Sequence, residues 1–142
     1  MEPRYTESSY RALRIAYGVV PIVAGLDKFT NLLTDWKQYL SPLATKVIPL
    51  APSTFMHVVG VIEIAVGLAI LLGFARIFGY VASAWLAAIA LNLLTTGHYF
   101  DVAARDATMA VGAFVLGKLA QLHERAGATA AVRPPVRGEV HA

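Results

Sequence analysis

Glu63 sits in the run Val58-Val59-Gly60-Val61-Ile62-Glu63-Ile64-Ala65-Val66-Gly67-Leu68-Ala69-Ile70-Leu71-Leu72, where every other residue is apolar or glycine. If this run crosses a bilayer, the carboxylate lies roughly 13 Å below the nearer helix end, at about 1.5 Å per residue. A charge near the bilayer centre costs on the order of 2.5–3.5 kcal/mol on insertion scales, so it has a partner or a use. Three uses suit a buried carboxylate. It can exchange a proton, it can help hold a quinone head group or a small anion, or it can pair with a cation and fix the order of the helices.

The other ionisable and amide residues in apolar surroundings fall toward the same outer level. Asp27, Lys28 and Asn31 close the first apolar stretch, Asn92 and His98 lie late in the third, and Arg105 and Asp106 open the fourth. Gly60, Glu63 and Gly67 follow an i, i+3, i+7 pattern, which puts two glycines on the helix face that carries the carboxylate. Glycines at such spacing admit a neighbouring backbone, so that face is expected to turn into a bundle. The expected site is an outward-facing polar pocket floored by Glu63 and walled by Asp27, Lys28, Asn92, Arg105 and Asp106. Glu63 is the proton-exchange candidate, with Arg105 and Lys28 both available as its partner. His57 and His98 are expected at the outer interface. His57 and Glu63 are six residues apart, which is not a same-face ligand spacing, so no metal is expected. Asp101 is the candidate N-cap of the fourth helix.

The elements that position these groups follow from composition. The 142-residue chain is 57% hydrophobic and only 15% charged. A soluble domain usually carries about 25% charged residues. That shortage of charge favours an integral membrane protein. The absence of cysteine removes disulfides, thiol relays and thiolate-held clusters. The net charge of +3 is scattered, without the basic stripe of a nucleic-acid binder.

Four spans are expected, at about 10–33, 54–75, 77–97 and 102–122, within a bundle covering 10–125. The central two are joined by the tight Gly73-Phe74-Ala75-Arg76 turn and read as a hairpin. Residues 34–53 contain Trp36, Tyr39, Pro42, Pro49 and Pro52, and read as an outer loop lying over the mouth of the bundle. Residues 1–9 and 126–142 read as polar tails. Arg4, Arg11, Arg14, Arg76, Lys118, Arg125, Arg133 and Arg137 would share one side, against Lys28, Lys37, Lys46 and Arg105 on the other. The positive-inside rule then places both termini in the cytoplasm. The expected fold class is all-α, an integral membrane four-helix bundle.

Gly25-Leu26-Asp27-Lys28-Phe29, Gly60-Val61-Ile62-Glu63 and Gly73-Phe74-Ala75-Arg76 together resemble elements of the DoxX-like family of small four-span bacterial membrane proteins. The resemblance covers most of residues 10–122 and carries over Lys28, Glu63 and Arg76, while Arg105-Asp106 does not map onto it. It implies a four-helix bundle in the bacterial cytoplasmic (inner) membrane. It also implies an association with redox chemistry, since relatives include a subunit of a thiosulfate:quinone oxidoreductase and partners of oxidative-stress enzymes. The expected function is an accessory subunit of a quinone-linked oxidoreductase system, with quinone as the candidate ligand. Without a flavin motif, thiols or haem ligands, the chain then needs a partner protein that carries the redox cofactor. The rival readings are a non-catalytic membrane scaffold, a homo-oligomeric assembly or a small proton-coupled transporter.

Overall fold

The computed structural model describes residues 3–132, and among them the chain is helical, without a strand. Its helices are α1 (Pro3–Thr30), the short α2 (Pro42–Val47), α3 (Pro52–Ala69), α4 (Ala75–Thr95) and α5 (Phe100–Val132). A 3-10 turn (Trp36–Tyr39) precedes α2, and the four long helices form the body. Ser41 caps α2 by accepting from the Ala44 N–H, with Pro42 in its first turn, where a missing N–H costs nothing.

These boundaries differ from the expected spans in three ways. The α1 helix begins at Pro3, inside the expected N-terminal tail, and ends at Thr30 because Asn31 takes φ 51. An asparagine in the left-handed region is a common helix stop. At the other end, α5 runs past Leu122 to Val132, since Ala-rich sequence sustains a helix into water. Residues 133–142 of the expected tail lie outside the described residues. Finally, α5 starts at Phe100, so Asp101 stands in its first turn rather than at the cap. Its charge suits the helix dipole there.

Pro52–Thr95 is the stretch long and apolar enough to cross a membrane, with a mean hydropathy of 2.5 in its best window. It is not one straight rod. Ile70–Phe74 makes a π turn in which Gly73 adopts φ 111, a conformation open to glycine at no steric cost. This folds α4 back from α3. The carbonyls freed there are satisfied from α1: the Arg14 Nε–H donates to Ile70 O at 3.1 Å and Nη2 donates to Leu71 O. The α1 helix itself continues through Pro21.

The hairpin legs rest on different partners. The α3 helix packs on α1, and α4 packs on α5, while α3 and α4 touch little. Each pair is held by close backbone approach. A Cβ at Gly25 would lie 2.5 Å from Gly60 O, and one at Gly60 would lie 2.7 Å from Gly25 O. Further along the same seam, Gly67 abuts Gly18 O in the same way. In the second pair a Cβ at Gly79 would meet the Gly117 nitrogen at 2.7 Å, and Ser83 Oγ donates to Ala110 O at 2.8 Å. Tyr17 joins the pairs by donating to Met109 O at 2.7 Å. Large apolar side chains such as Leu72, Ile77, Leu91 and Val111 point outward and are exposed, as lipid rather than water would allow.

At the end where the chain enters, α1 is fastened to α5. Glu7 accepts from Arg11 at 2.8 Å and contacts His123 Nδ1 at 2.7 Å, and the Tyr10 ring stacks on His123 at 4.8 Å. The Arg11 hydrogen bond holds the Glu7 carboxyl below its ordinary range, against the opposing effect of desolvation, with His123 adding to the lowering.

Gly60→Ala should destabilise by about 1–3 kcal/mol, because its methyl meets backbone and α1 must give way. Gly127→Ala has nothing within 4 Å of its Cβ. It is the control, and should be neutral or stabilising in thermal unfolding. The lowered Glu7 contributes its stabilisation fully above the usual carboxylate range, and loses it as pH falls through the lowered value. Amide protection in the first two turns of α1, taken relative to the intrinsic exchange rate at each pH, should therefore hold from neutral pH down to about pH 4 and fall below it.

Candidate functional site

The register set by the glycines places Lys28 on α1 opposite Glu63 on α3. Lys28 Nζ donates to Glu63 Oε2 at 2.6 Å, with the two side chains only 4% and 11% exposed. The open choice of partner for Glu63 is thereby decided in favour of Lys28. Arg105 instead bonds its neighbour in sequence, donating from Nε to Asp106 Oδ1 at 3.2 Å, and its side chain is 63% exposed. Asp106 is buried and lies within electrostatic reach of both Lys28 and Glu63. Two cations and two carboxylates from three helices thus form a formally neutral group.

Lys28 has a second contact. Its ammonium stands 3.7 Å from the centroid of the Trp36 ring, a cation–π geometry. Trp36 is oriented by Asp27, which accepts from the indole Nε1 at 2.7 Å. Asp27 also accepts from the Leu32 N–H at 2.9 Å, the Leu33 N–H at 3.1 Å and Thr30 Oγ1 at 3.1 Å. Both of its oxygens are occupied by the chain that leaves α1. Asp27, expected as a pocket wall, is therefore a clamp on the turn, placed there because its helix position points at its own C-terminal exit. It acts on the site through Trp36.

The site opens on a cavity of ≈ 1060 Å³ bounded by all four long helices and the 34–53 segment. Lys28, Glu63, Asn92, Arg105 and Asp106 contribute to its wall, whereas Asp27 does not. The remainder of the wall is largely apolar or aromatic. Asn92 is committed on one side: its Nδ2 donates to Tyr39 O at 2.8 Å, and its Oδ1 accepts from the Ser41 N–H at 3.3 Å. It clasps the outer segment down over the cavity, so the pocket expected to face outward is roofed by Trp36, Tyr39 and Leu40.

Trp85 is legible in the sequence only as a residue near the Asn92 face of the third helix. It lines the cavity within electrostatic reach of the Glu63 carboxylate. Its buried indole Nε1 faces that carboxylate as its nearest acceptor, without closing a hydrogen bond of full geometry. A buried donor left unpaired costs about 1–3 kcal/mol, so it marks a place where an acceptor is wanted. Its position seven residues before Asn92 is the signal available in the sequence. Tyr99, which shares that spacing, lies outside the helix with φ 59. The histidines stay apart from the site: His57 stacks on Phe29 at 4.8 Å, and His98 lies edge-on to Tyr99 at 6.3 Å. Among the described residues no group of three or more His, Cys, Asp or Glu side chains gathers to hold a metal.

Breaking the buried pair from one side should cost far more than removing it. Glu63→Leu alone or Lys28→Met alone should lower stability by about 3–5 kcal/mol, because each strands a buried charge, while the double variant should recover most of the loss. A thermal unfolding series in detergent with a double-mutant cycle reads this directly.

The family profile of DoxX matches residues 10–103, about two thirds of the chain. The match takes in Lys28, Glu63, Trp85 and Asn92 and ends before Arg105 and Asp106. No curated protein and no solved structure matches. With its Gly25-to-Lys28 and Gly60-to-Glu63 elements brought face to face within the matched region, the chain belongs to the DoxX family of membrane proteins.

Proposed function

We propose that this protein is a four-span accessory subunit of a quinone-linked oxidoreductase system, and that the cavity receives a quinone. The observation that carries the reading is the pairing, on one largely apolar wall, of a buried lysine ammonium with a buried indole N–H that faces Glu63 without closing a full hydrogen bond. A quinone ring is an apolar plate whose two carbonyls accept hydrogen bonds at opposite edges. Trp85 Nε1 is a fixed donor for one carbonyl, and Lys28 is a charged donor for another acceptor. Lys28 keeps one ammonium hydrogen on Glu63 and lays its charge over Trp36, so the head group meets an oriented cation. The Lys28–Glu63 pair also holds an exchangeable proton. Its transfer from Nζ to Oε2 across 2.6 Å would leave both groups neutral. A quinone bound here supplies two-electron chemistry only in concert with a donor of electrons. In this reading the electrons come from a cofactor-bearing partner, and the chain, which has no cysteine, offers no thiolate ligand of its own.

Membrane placement accords with this role. The start of α1, the Gly73 turn and the distal part of α5 meet at one end, through Tyr10–His123, Arg14–Ile70 and Arg76–Glu124. The excess of Lys and Arg at that end favours the cytoplasmic side of a bacterial inner membrane, with the 34–53 segment outside. In this reading the α1 and α5 helices span despite their charges, because Lys28 and Asp106 turn inward.

Trp36 and Trp85 are the two tryptophans of the chain, and both line the cavity. A short-chain ubiquinone titrated into the detergent-purified protein should quench their emission saturably. Trp85→Phe keeps an aromatic ring and removes the N–H, so it should weaken binding about tenfold, the equivalent of about 1.4 kcal/mol. Lipid extracts of the protein from its own membranes should contain near-stoichiometric quinone. Unsaturable quenching, together with an extract of bulk phospholipid alone, would overturn the proposal in favour of a scaffold.

A further inference from the structure

The seams between the helices differ in how they are closed. The α1–α3 seam is sutured by the Lys28–Glu63 pair and the glycine contacts, the α4–α5 seam by Ser83–Ala110 O and Arg76–Glu124, and the α1–α5 seam by Tyr17–Met109 O. The α3–α4 seam is the loosest of these, although the two helices are consecutive and linked by a tight turn. The polar contact across it is Trp85 on α4 facing Glu63 on α3, and that contact falls short of a full hydrogen bond. Val58 on α3 and Ala88 on α4 both line the cavity and are exposed, Val58 at 47%, as are Val20 and Val23 on α1.

The ends of the cavity are bounded by fastened or tightly packed elements. The outer end lies beneath Trp36, Tyr39 and Leu40, and that segment is fastened by Asn92 on one side and Asp27 on the other. The inner end meets the tightest part of the core, where Ile70, Ala113 and Leu116 have no exposed surface and Arg14 ties the Ile70 carbonyl. The cavity volume of ≈ 1060 Å³ reaches the upper end of the range that drug-sized ligands fill. A small inorganic anion would leave most of it empty.

We infer that the cavity is loaded sideways from the hydrocarbon of the bilayer, through the α3–α4 seam, so that its ligand is a lipid-soluble molecule with a hydrocarbon chain. Lys28, Glu63 and Trp85 then recognise the polar end, and the seam between Val58 and Ala88 carries the chain back toward the lipid. The inference takes the cavity as the ligand site proposed above, narrows the ligand class by excluding a water-borne anion, and does not require that the polar end be a quinone.

Brominated acyl chains test this without any quinone, so the outcome is independent of the quinone assignment. Trp36→Phe leaves Trp85 as the sole tryptophan. In phosphatidylcholine vesicles with bromines midway along the chains, its emission should fall by most of its intensity relative to unbrominated vesicles. Adding Ala88→Phe, which plugs one lip of the seam, should restore the emission. Val58→Phe plugs the other lip and serves if the first variant does not fold. Aqueous iodide should leave all of these unchanged. Emission that ignores brominated chains and yields to iodide would overturn lateral loading, and brominated-chain quenching that survives both plugs would overturn the α3–α4 route.

Discussion

Lys28 reaches Glu63 because the backbones of α1 and α3 touch at Gly18, Gly25, Gly60 and Gly67. Any side chain at Gly25 or Gly60 would hold the helices apart and shift the register. The ammonium and carboxylate would then be stranded at a depth where neither finds water. The energy of the buried pair is a poor reason for keeping it, since desolvation offsets much of the attraction. Its consequence is geometric: it fixes which face of α3 meets α1, and so which faces of both are left for the cavity.

From that register the rest of the site follows in steps. Glu63 points at Lys28, so Val59, Ile62 and Val66 on the adjoining face of α3 become cavity wall. Lys28 sits at the last turn of α1, so its ammonium meets Trp36 only if the chain turns sharply, and Asp27 makes it turn by gathering two backbone N–H groups and the indole. Asn92 completes the arrangement from α4 by holding the same segment at Tyr39 and Ser41. Asp27 and Asn92 are thus as polar as the pocket residues among which the sequence placed them, but their hydrogen-bonding capacity is spent on the loop.

The division into two helix pairs explains how a small protein keeps a large internal space. Four helices packed evenly around one axis would fill their centre with side chains. Here close glycine contacts draw α1 to α3 and α4 to α5, while Gly73 lets the chain cross from one pair to the other without packing α3 closely on α4. Arg14 compensates the carbonyls that this crossing exposes.

Several features are legible in the sequence because each depends on local pattern. Low charge and long apolar runs point to a helical membrane protein, and Gly73-Phe74 marks the turn. The Gly60-Glu63-Gly67 spacing shows that the carboxylate face admits a close neighbour. Short motifs around Lys28 and Glu63 are enough to suggest the family. Pairing is not legible: Arg105 and Lys28 are equivalent partners for Glu63 on paper, since periodicity fixes the face of a helix but not the helix opposite it. For the same reason the central hairpin carries no sign that its legs pack on other helices, and Asp27 reads as a pocket residue rather than a clamp on the turn. Trp85 stands out least, because an apolar helix with one tryptophan is ordinary, and only the tertiary arrangement buries its N–H facing Glu63. The sequence determined which residues stand within or beside the apolar runs and which helix faces they share. Long-range contact decided which of those charges neutralise one another and which side chains meet around the cavity, because that depends on distances between segments far apart in the chain.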